Sequence, residues 1–220
     1  WLAGLAGGLA VLTRQQGLIL LLPIAWELWE DAGRTWTQVR VKWKNWLSLV
    51  TIPVSFAFWL GYRCLVLRDV SVELGSFNNL IYSFLISPSA SQVVPYQTFV
   101  WPWHALWLAM QKLIKAPDLD LWVNIIAGMI FLILFTLGWK NMRLSYRLYG
   151  LAITLISFSY YTGPYHPYMG LPRHLLLGFP VFIAIAPRLN RPFWGALLIS
   201  IASLGYLFLL LIYSLGSWVP

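Results

Sequence analysis

Arg14 is the first residue in this chain whose type and surroundings suggest chemistry. It lies in the segment LTRQQG, residues 12–17, with apolar stretches on both sides. An ionisable group between apolar stretches is by default a candidate for a functional site. The guanidinium is a forked, permanently charged donor that suits a phosphate group. The simpler alternative is an arginine at a helix end whose side chain reaches up to lipid headgroups.

A second concentration of polar groups lies in the segment TGPYHPYMGLPRH, residues 162–174. Its prolines stiffen the backbone. Tyrosine and histidine can donate hydrogen bonds to a sugar or a phosphate, and arginine adds positive charge. The alternative is an aromatic belt at a membrane surface with structural prolines. The candidate residues of this segment are Tyr165, His166, Tyr168, Arg173 and His174.

Carboxylates that could act as a general base are scarce. Asp69 and Glu73 are two candidates, although Asp69 beside Arg68 also fits a solvated ion pair. Asp118 and Asp120 fit the capping of a helix end better than catalysis. No group of residues has metal-ligand spacing, and no P-loop or dinucleotide glycine pattern is present. We therefore expect neither a metal nor a nucleotide cofactor.

The composition defines the setting in which these residues must be placed. Hydrophobic residues make up 60% of the chain and charged residues 10%, whereas soluble domains carry about 25% charged residues. Runs such as Leu121–Leu137 and Phe193–Leu215 approach the ~20 residues that cross a bilayer. Backbone in hydrocarbon must be helical to satisfy its own polar groups. The sequence therefore predicts an all-α integral membrane protein, a multi-pass bundle of transmembrane helices.

The apolar runs predict seven helices that form a single membrane domain over residues 1–220. The first is short for a span, so we expect a fragment that lacks N-terminal helices and a first extracytoplasmic loop. Gly4 and Gly8 within it form a small-residue motif for close helix packing. The predicted helices are Trp1–Leu12, Gly17–Trp29, Trp46–Tyr62, Leu121–Trp139, Tyr149–Tyr161, His174–Ala186 and Phe193–Leu215.

The distribution of basic residues predicts the orientation. Nine of the fifteen lysines and arginines lie in three alternate loops, Glu30–Asn45, Lys140–Arg147 and Pro187–Pro192. An excess of basic residues marks cytoplasmic loops. The net charge of +8 therefore reports membrane topology, and no nucleic-acid partner is expected. The two candidate segments then share the extracytoplasmic side.

A long extracytoplasmic loop, Arg63–Asp120, follows from the same orientation. It contains two apolar or amphipathic segments too short to cross a bilayer, Phe77–Ile86 and Trp101–Lys115. Tryptophans followed by lysines are typical of a helix that lies in the membrane interface. Loops of this length with their own helices are usually functional.

The two candidate segments together resemble the GT-C class of membrane glycosyltransferases. LTRQQG leading into Leu18–Pro23 resembles a Leu-Thr-Arg-x-x-Gly signature that is followed by apolar residues and a proline. PRHLL, residues 172–176, leading into Phe179 and Pro180 resembles the Pro-Arg-Tyr-Leu-Leu … Phe-Pro segment of that class, with His174 where tyrosine is commoner. The nearest groups are bacterial relatives of the second mannosyltransferase of GPI-anchor synthesis and the protein O-mannosyltransferase-like proteins.

The resemblance implies transfer of a sugar, mannose or a similar hexose, from a polyprenyl-phosphate carrier to an unidentified acceptor, outside a bacterial plasma membrane. Membrane lipid and the lipid-linked donor would be its partners. The catalytic acid of the class would precede Trp1, which leaves Asp69 as the candidate here. Arg14 and Arg173 match positions near the carrier phosphate. Candidates for substrate binding are Gln15, Tyr165, His166 and His174.

Two other classes of protein compete with this interpretation. Secondary transporters have repeated halves and charges at mid-membrane, whereas here the charges cluster at helix ends and no matching halves are evident. A non-catalytic scaffold or lipid-binding subunit is the other alternative. The sequence does not specify the sugar, the acceptor or the oligomeric state.

Overall fold

The computed structural model describes residues 1–65, 98–189 and 192–214, and these are mostly helical. Three predicted features lie outside these ranges: the segment Phe77–Ile86 and the candidate bases Asp69 and Glu73. Short 3₁₀ segments occupy Gln15–Leu20, Trp139–Asn141 and Ala186–Leu189. The helices and strands are α1 Leu2–Thr13, α2 Leu21–Asp31, α3 Trp36–Val41, α4 Trp43–Leu65, β1 Thr98–Phe99, α5 Pro102–Lys115, α6 Leu119–Gly138, α7 Leu144–Ser159, β2 Tyr160–Tyr161, α8 Leu171–Leu175, α9 Phe179–Ile185 and α10 Pro192–Ser214.

α6 and the turn after it, Leu119–Asn141, form a candidate membrane span with mean hydropathy 2.3. Among the residues that the structure describes, it is the one helix long and apolar enough to cross a bilayer. Its inner face buries Leu121, Phe131 and Phe135. A helix that is apolar on every side fits a membrane or a protein core, because a helix at a water-exposed surface carries polar residues outside. The exposed side chains of α6 include Trp122, Ile126, Ile130, Ile133 and Leu137.

α1 packs closely against α4 through its glycines, as the small-residue motif predicts. A methyl group on Gly4 would overlap the backbone carbonyl of Ser48, and one on Gly8 would lie 2.7 Å from Ser55 Oγ. The Thr51 hydroxyl donates a hydrogen bond of 2.7 Å to the Gly4 carbonyl. Contacts this close require residues without side chains at the helix crossing.

The predicted helix His174–Ala186 is wrong, since the structure contains two short helices there, α8 and α9. They are separated at residues 176–178. Pro180 has no N–H group with which to continue a helical hydrogen-bond ladder. Gly178 packs so closely on Phe131 that an added methyl group would lie 2.6 Å from Phe131 Cζ. The break therefore leaves α8 as a separate five-residue helix.

The predicted boundaries of two other helices also change. The helix predicted to start at Gly17 begins as the 3₁₀ segment Gln15–Leu20 and becomes α-helical at Leu21. The helix predicted as Tyr149–Tyr161 starts at Leu144 and ends at Ser159.

A pair of two-residue strands, which the sequence analysis did not predict, connects the start of α5 to the end of α7. β1 and β2 are antiparallel, with Thr98 opposite Tyr161 and Phe99 opposite Tyr160. The N–H of Val100 extends the pairing by donating to the Ser159 carbonyl at 3.0 Å. The apolar core lies beside this connection and includes Ala105, Ala109, Phe131, Tyr168, Leu171 and Val181.

We expect Gly4→Leu to destabilise the fold because the side chain has no space against Ser48. Forcing bulk into a tightly packed contact costs about 1–3 kcal/mol. Ala6→Leu adds bulk to the exposed face of the same helix and should leave stability nearly unchanged. Thermal unfolding of both variants in detergent checks this, and equal unfolding temperatures would contradict the packing of α1 on α4.

Candidate functional site

Arg14 lies where α1 ends and the chain turns back on itself. Its backbone is extended, and the 3₁₀ segment follows directly. The turn brings Gly17 against the last turn of α1, where an added methyl group would lie 2.6 Å from the Val11 nitrogen. The N–H of Gly17 donates to the Arg14 carbonyl at 2.8 Å. Glycine in LTRQQG is thus required by a close backbone approach, and that approach fixes the place of Arg14.

Arg173 and His174 are held by the short helix α8. Gly170 precedes this helix in the left-handed region, with φ of 71°, a conformation that glycine adopts at little cost. Pro172 lies in its first turn, where its missing N–H costs no helical bond. The Arg173 guanidinium folds back over Gly170, since an added methyl group there would lie 2.6 Å from Arg173 Nη2.

The two candidate segments meet in the structure. Arg14 Nη2 lies 3.5 Å from His174 Nδ1, although the residues are 160 positions apart. This is a long hydrogen bond. An arginine can only donate, so Nδ1 must be the acceptor and the imidazole must be neutral with its proton on Nε2. Burial, followed by the positive charges of Arg14 and Arg173, lowers the pKa of His174 to about 4, which agrees with a neutral ring.

The charges of Arg14 and Arg173 act on each other. Arg14 is accessible to solvent, yet partial burial and then the charge of Arg173 lower its pKa. Tyr160 acts in the opposite direction. Within the described part of the chain Arg14 has no carboxylate partner. Two positive charges in mutual range favour an anionic ligand.

A small pocket opens beside His174, and its lining residues include neither arginine. The rings of Tyr160 and His174 lie 5.2 Å apart at its wall. Burial raises the pKa of Tyr160 while both arginines oppose the rise, so its hydroxyl stays protonated at neutral pH. The buried Gln16 Oε1 makes no hydrogen bond within the described residues. The pocket is lined by Gln16, Ile153, Ile156, Ser157, Tyr160, His174 and Leu177.

The lining combines polar groups with aliphatic side chains, which suits an amphiphilic ligand. Buried polar atoms in proteins nearly always have a partner, so the Gln16 oxygen marks a place where a donor would fit. The site residues predicted from the sequence did not include Gln16, Ser157 and Tyr160. Gln16 stands in the same motif as Arg14, which was a usable signal. The pairing of β1 with β2 brings Tyr160 to the pocket. No pattern in the sequence indicates this pairing.

The other predicted site residues are placed differently. Tyr165 is 72% exposed, and neither it nor His166 lines the pocket. His166 Nδ1 lies 3.8 Å from Asp118 Oδ2, and its carbonyl accepts a hydrogen bond from Thr162 Oγ1. Asp69 and the side chain of Gln15 lie outside the described part of the chain. The structure thus joins Arg14, Arg173 and His174 and leaves Tyr165 and His166 outside the pocket.

Asn124 connects α6 to the helix that bears Arg173 and His174. It is fully buried. Its Oδ1 accepts the N–H of Leu171 at 2.9 Å, and its Nδ2 donates to the Asp120 carbonyl at 2.8 Å. Both ends of the amide are therefore satisfied, and the start of α8 is fixed against α6. Asp118 caps α6 by accepting the Asp120 N–H at 3.1 Å, which confirms its predicted capping role.

Known proteins provide no further guide to this site. No family model, no curated protein and no solved structure matches the chain. The resemblance to GT-C glycosyltransferases stays a prediction from the two sequence segments. The function has to be inferred from the geometry of the pocket and the two arginines.

Arg14→Gln should raise the pKa of His174 from about 4 toward, but not to, its ordinary value of about 6.5. The variant removes one of two opposing charges while burial, the largest cause, remains. The chain has three histidines, so ¹³C-labelled histidine spectra in detergent can follow each ring. Arg34→Gln, which breaks an exposed pair with Glu30, is the control. A His174 pKa unchanged by Arg14→Gln would contradict the contact.

Asn124→Leu should destabilise the protein because the Leu171 N–H then has no acceptor. A buried unsatisfied donor costs about 1–3 kcal/mol. Thr136→Val is the matched control, since that exposed hydroxyl of the same helix bonds only the Ile133 carbonyl one turn back. Unfolding in detergent is the measurement. A similar loss in the two variants would show that Asn124 does not fix α8.

Proposed function

We propose that this chain is part of a multi-pass membrane glycosyltransferase of the GT-C class. It would move mannose or a similar hexose from a polyprenyl-phosphate carrier to an acceptor on the extracytoplasmic side of a bacterial plasma membrane. The observation that carries the proposal is the contact of Arg14 with His174, the neighbour of Arg173, beside a pocket that His174 lines. These residues belong to the two segments that resemble the signatures of the class.

The two arginines would bind the phosphate of the carrier. When the bond between the sugar and the phosphate breaks, negative charge grows on the phosphate oxygens. Guanidinium groups already in place stabilise that charge without reorganisation. Their combined positive charge makes an anion the complementary ligand. Since the leaving phosphate is already an activated group, no nucleotide is needed.

The pocket beside His174 suits the remainder of such a donor. The Tyr160 hydroxyl can donate to a sugar or phosphate oxygen, and Gln16 Oε1 can accept from a sugar hydroxyl. Neutral His174 places a ring between the tyrosine and Arg14. The aliphatic wall of Ile153, Ile156 and Leu177 offers a surface for isoprenoid carbons.

The reaction would be an inverting displacement at the anomeric carbon. A carboxylate takes the proton of the acceptor hydroxyl, the acceptor oxygen forms a bond to the anomeric carbon, and the bond to phosphate breaks with its electron pair left on the carrier. The carboxylate is expected from a segment before Trp1, with Asp69 as the candidate within these residues. The described part of the chain would then supply the phosphate site.

The proposed membrane topology agrees with the position of the site. α6 is a candidate span with Asp118 at its start and Lys140 just after its end. If the basic loops are cytoplasmic, the start of α6 lies outside. Asn124, one turn into α6, bonds the start of α8. The pair of arginines would therefore lie near the extracytoplasmic surface, where a lipid-linked sugar on that leaflet presents its phosphate.

The test is transfer of radiolabelled mannose from polyprenyl-phosphate-mannose by the full-length protein in membranes. We expect Arg14→Gln and Arg173→Gln each to lower the rate by about a hundredfold or more, as removal of a charge-stabilising donor does. Arg14→Lys should recover only part of the rate, since lysine keeps the charge but loses the fork.

Arg34→Gln is the control for the loss of a positive charge, because Arg34 pairs with Glu30 outside both segments. Its activity should stay near that of the wild type. Transfer that survives both Arg14→Gln and Arg173→Gln would exclude the two-arginine phosphate site. No transfer from any polyprenyl-phosphate sugar would exclude the enzyme and leave the transporter and scaffold classes.

A further inference from the structure

α5 carries an exposed apolar stripe on the side away from the core. Its residues Trp103, Trp107, Met110 and Ile114 are 67%, 62%, 39% and 79% exposed. Their spacing of four, three and four positions places them on one face of the helix, since each residue advances about 100°. A separate face, formed by Ala105, Ala109 and Leu113, is buried in the core.

The third face of α5 is polar and basic. His104 and Gln111 lie beside the apolar stripe, and Lys112 and Lys115 occupy the last turn. The helix contains no acidic residue. A helix with tryptophans on one side, basic residues on the next and no acid suits a surface that is apolar below and negatively charged above.

The position of α5 in the chain brings it to such a surface. Three residues, Ala116–Asp118, separate it from the candidate span α6. A linker of that length reaches about 10 Å. If α6 crosses a bilayer, the end of α5 lies at the lipid surface. A 14-residue helix is about 21 Å long, too short to cross a core of about 30 Å.

We propose that α5 docks on the lipid bilayer, with Trp103, Trp107, Met110 and Ile114 inserted among the headgroups and upper acyl chains and with Lys112 and Lys115 on anionic headgroups. Tryptophan is the residue enriched at that depth, because its ring is apolar and its N–H is polar. Lysines near an anionic surface add attraction. The proposal depends on α6 crossing the bilayer and is independent of the transferase activity.

A docked α5 would also fix the depth of the candidate site relative to the bilayer surface. β1 immediately precedes α5 and pairs with β2, so Phe99 is opposite Tyr160 of the pocket wall. The core contacts of Ala105 and Ala109 make the connection stiff. Anchoring α5 at the headgroups would therefore hold Tyr160 near the depth at which lipid phosphates lie.

The test is the environment of a fluorescent label in the full-length protein, in vesicles of phosphatidylethanolamine and phosphatidylglycerol. Cys64→Ala removes the single native thiol. A bimane label is then placed through Met110→Cys on the stripe or Gln111→Cys on the polar flank. We expect lipids brominated in the upper acyl chain to quench the Met110 label several-fold more than the Gln111 label, and aqueous iodide to show the reverse.

Each other outcome overturns the proposal in its own way. A Met110 label quenched by iodide and not by bromolipid would place the stripe in water. A label protected from both would mean that protein, such as a second copy, covers the stripe.

The role of the lysines is tested by a separate experiment. Bromolipid quenching at Met110 should rise with phosphatidylglycerol content, and Lys112→Gln with Lys115→Gln should abolish the rise. No rise in the wild type would exclude the anionic headgroup contact.

Discussion

The contact between Arg14 and His174 joins the end of α1 to the short helix α8, and the candidate site depends on it. Arg173 precedes His174 on α8, and its positive charge acts on Arg14. A neutral His174 lies against Arg14 and adds no third charge. The proposed ligand is an anion, which the two positive charges would bind.

Several uncharged features hold the two arginines in place. Gly17 lets the chain return against the end of α1, and Gly170 supplies a left-handed residue before α8. Asn124 then fixes the start of α8 to α6 by a buried hydrogen bond. The side chain of Asn124 thus fixes the site relative to the candidate span α6. Such a bond is strong in a setting without competing water.

Ionisable residues are rare in this chain, so each one between apolar stretches is a candidate. Arg14, Arg173 and His174 are predicted candidates of this kind, and the structure brings them together. The glycines of α1 were likewise recognisable by spacing. The apolar pattern of residues 174–186 does not indicate the break at Gly178 and Pro180. There a close contact with Phe131 and a missing N–H outweigh an apolar run that otherwise reads as one helix.

The uncharged lining of the pocket was harder to predict. Tyr160 reaches the site through pairing with residues more than 60 positions earlier, and no local periodicity encodes a two-residue strand. Gln16 and Asn124 are polar residues among apolar neighbours, and their importance depends on burial, which spacing alone does not give. Hydrophobic patterning thus places helices, while the polar contacts between helices need three-dimensional structure.

Binding of sugar-free polyprenyl phosphate is the measurement that tests the two-arginine site most directly. Affinities would be compared for the wild type, Arg14→Gln, Arg173→Gln and the double variant in detergent. The account predicts that each single change weakens binding by about tenfold or more, equivalent to ~1.4 kcal/mol. It also predicts that the effects in the double variant are not additive, because both groups bind one phosphate. Equal affinity in all four proteins would contradict the account.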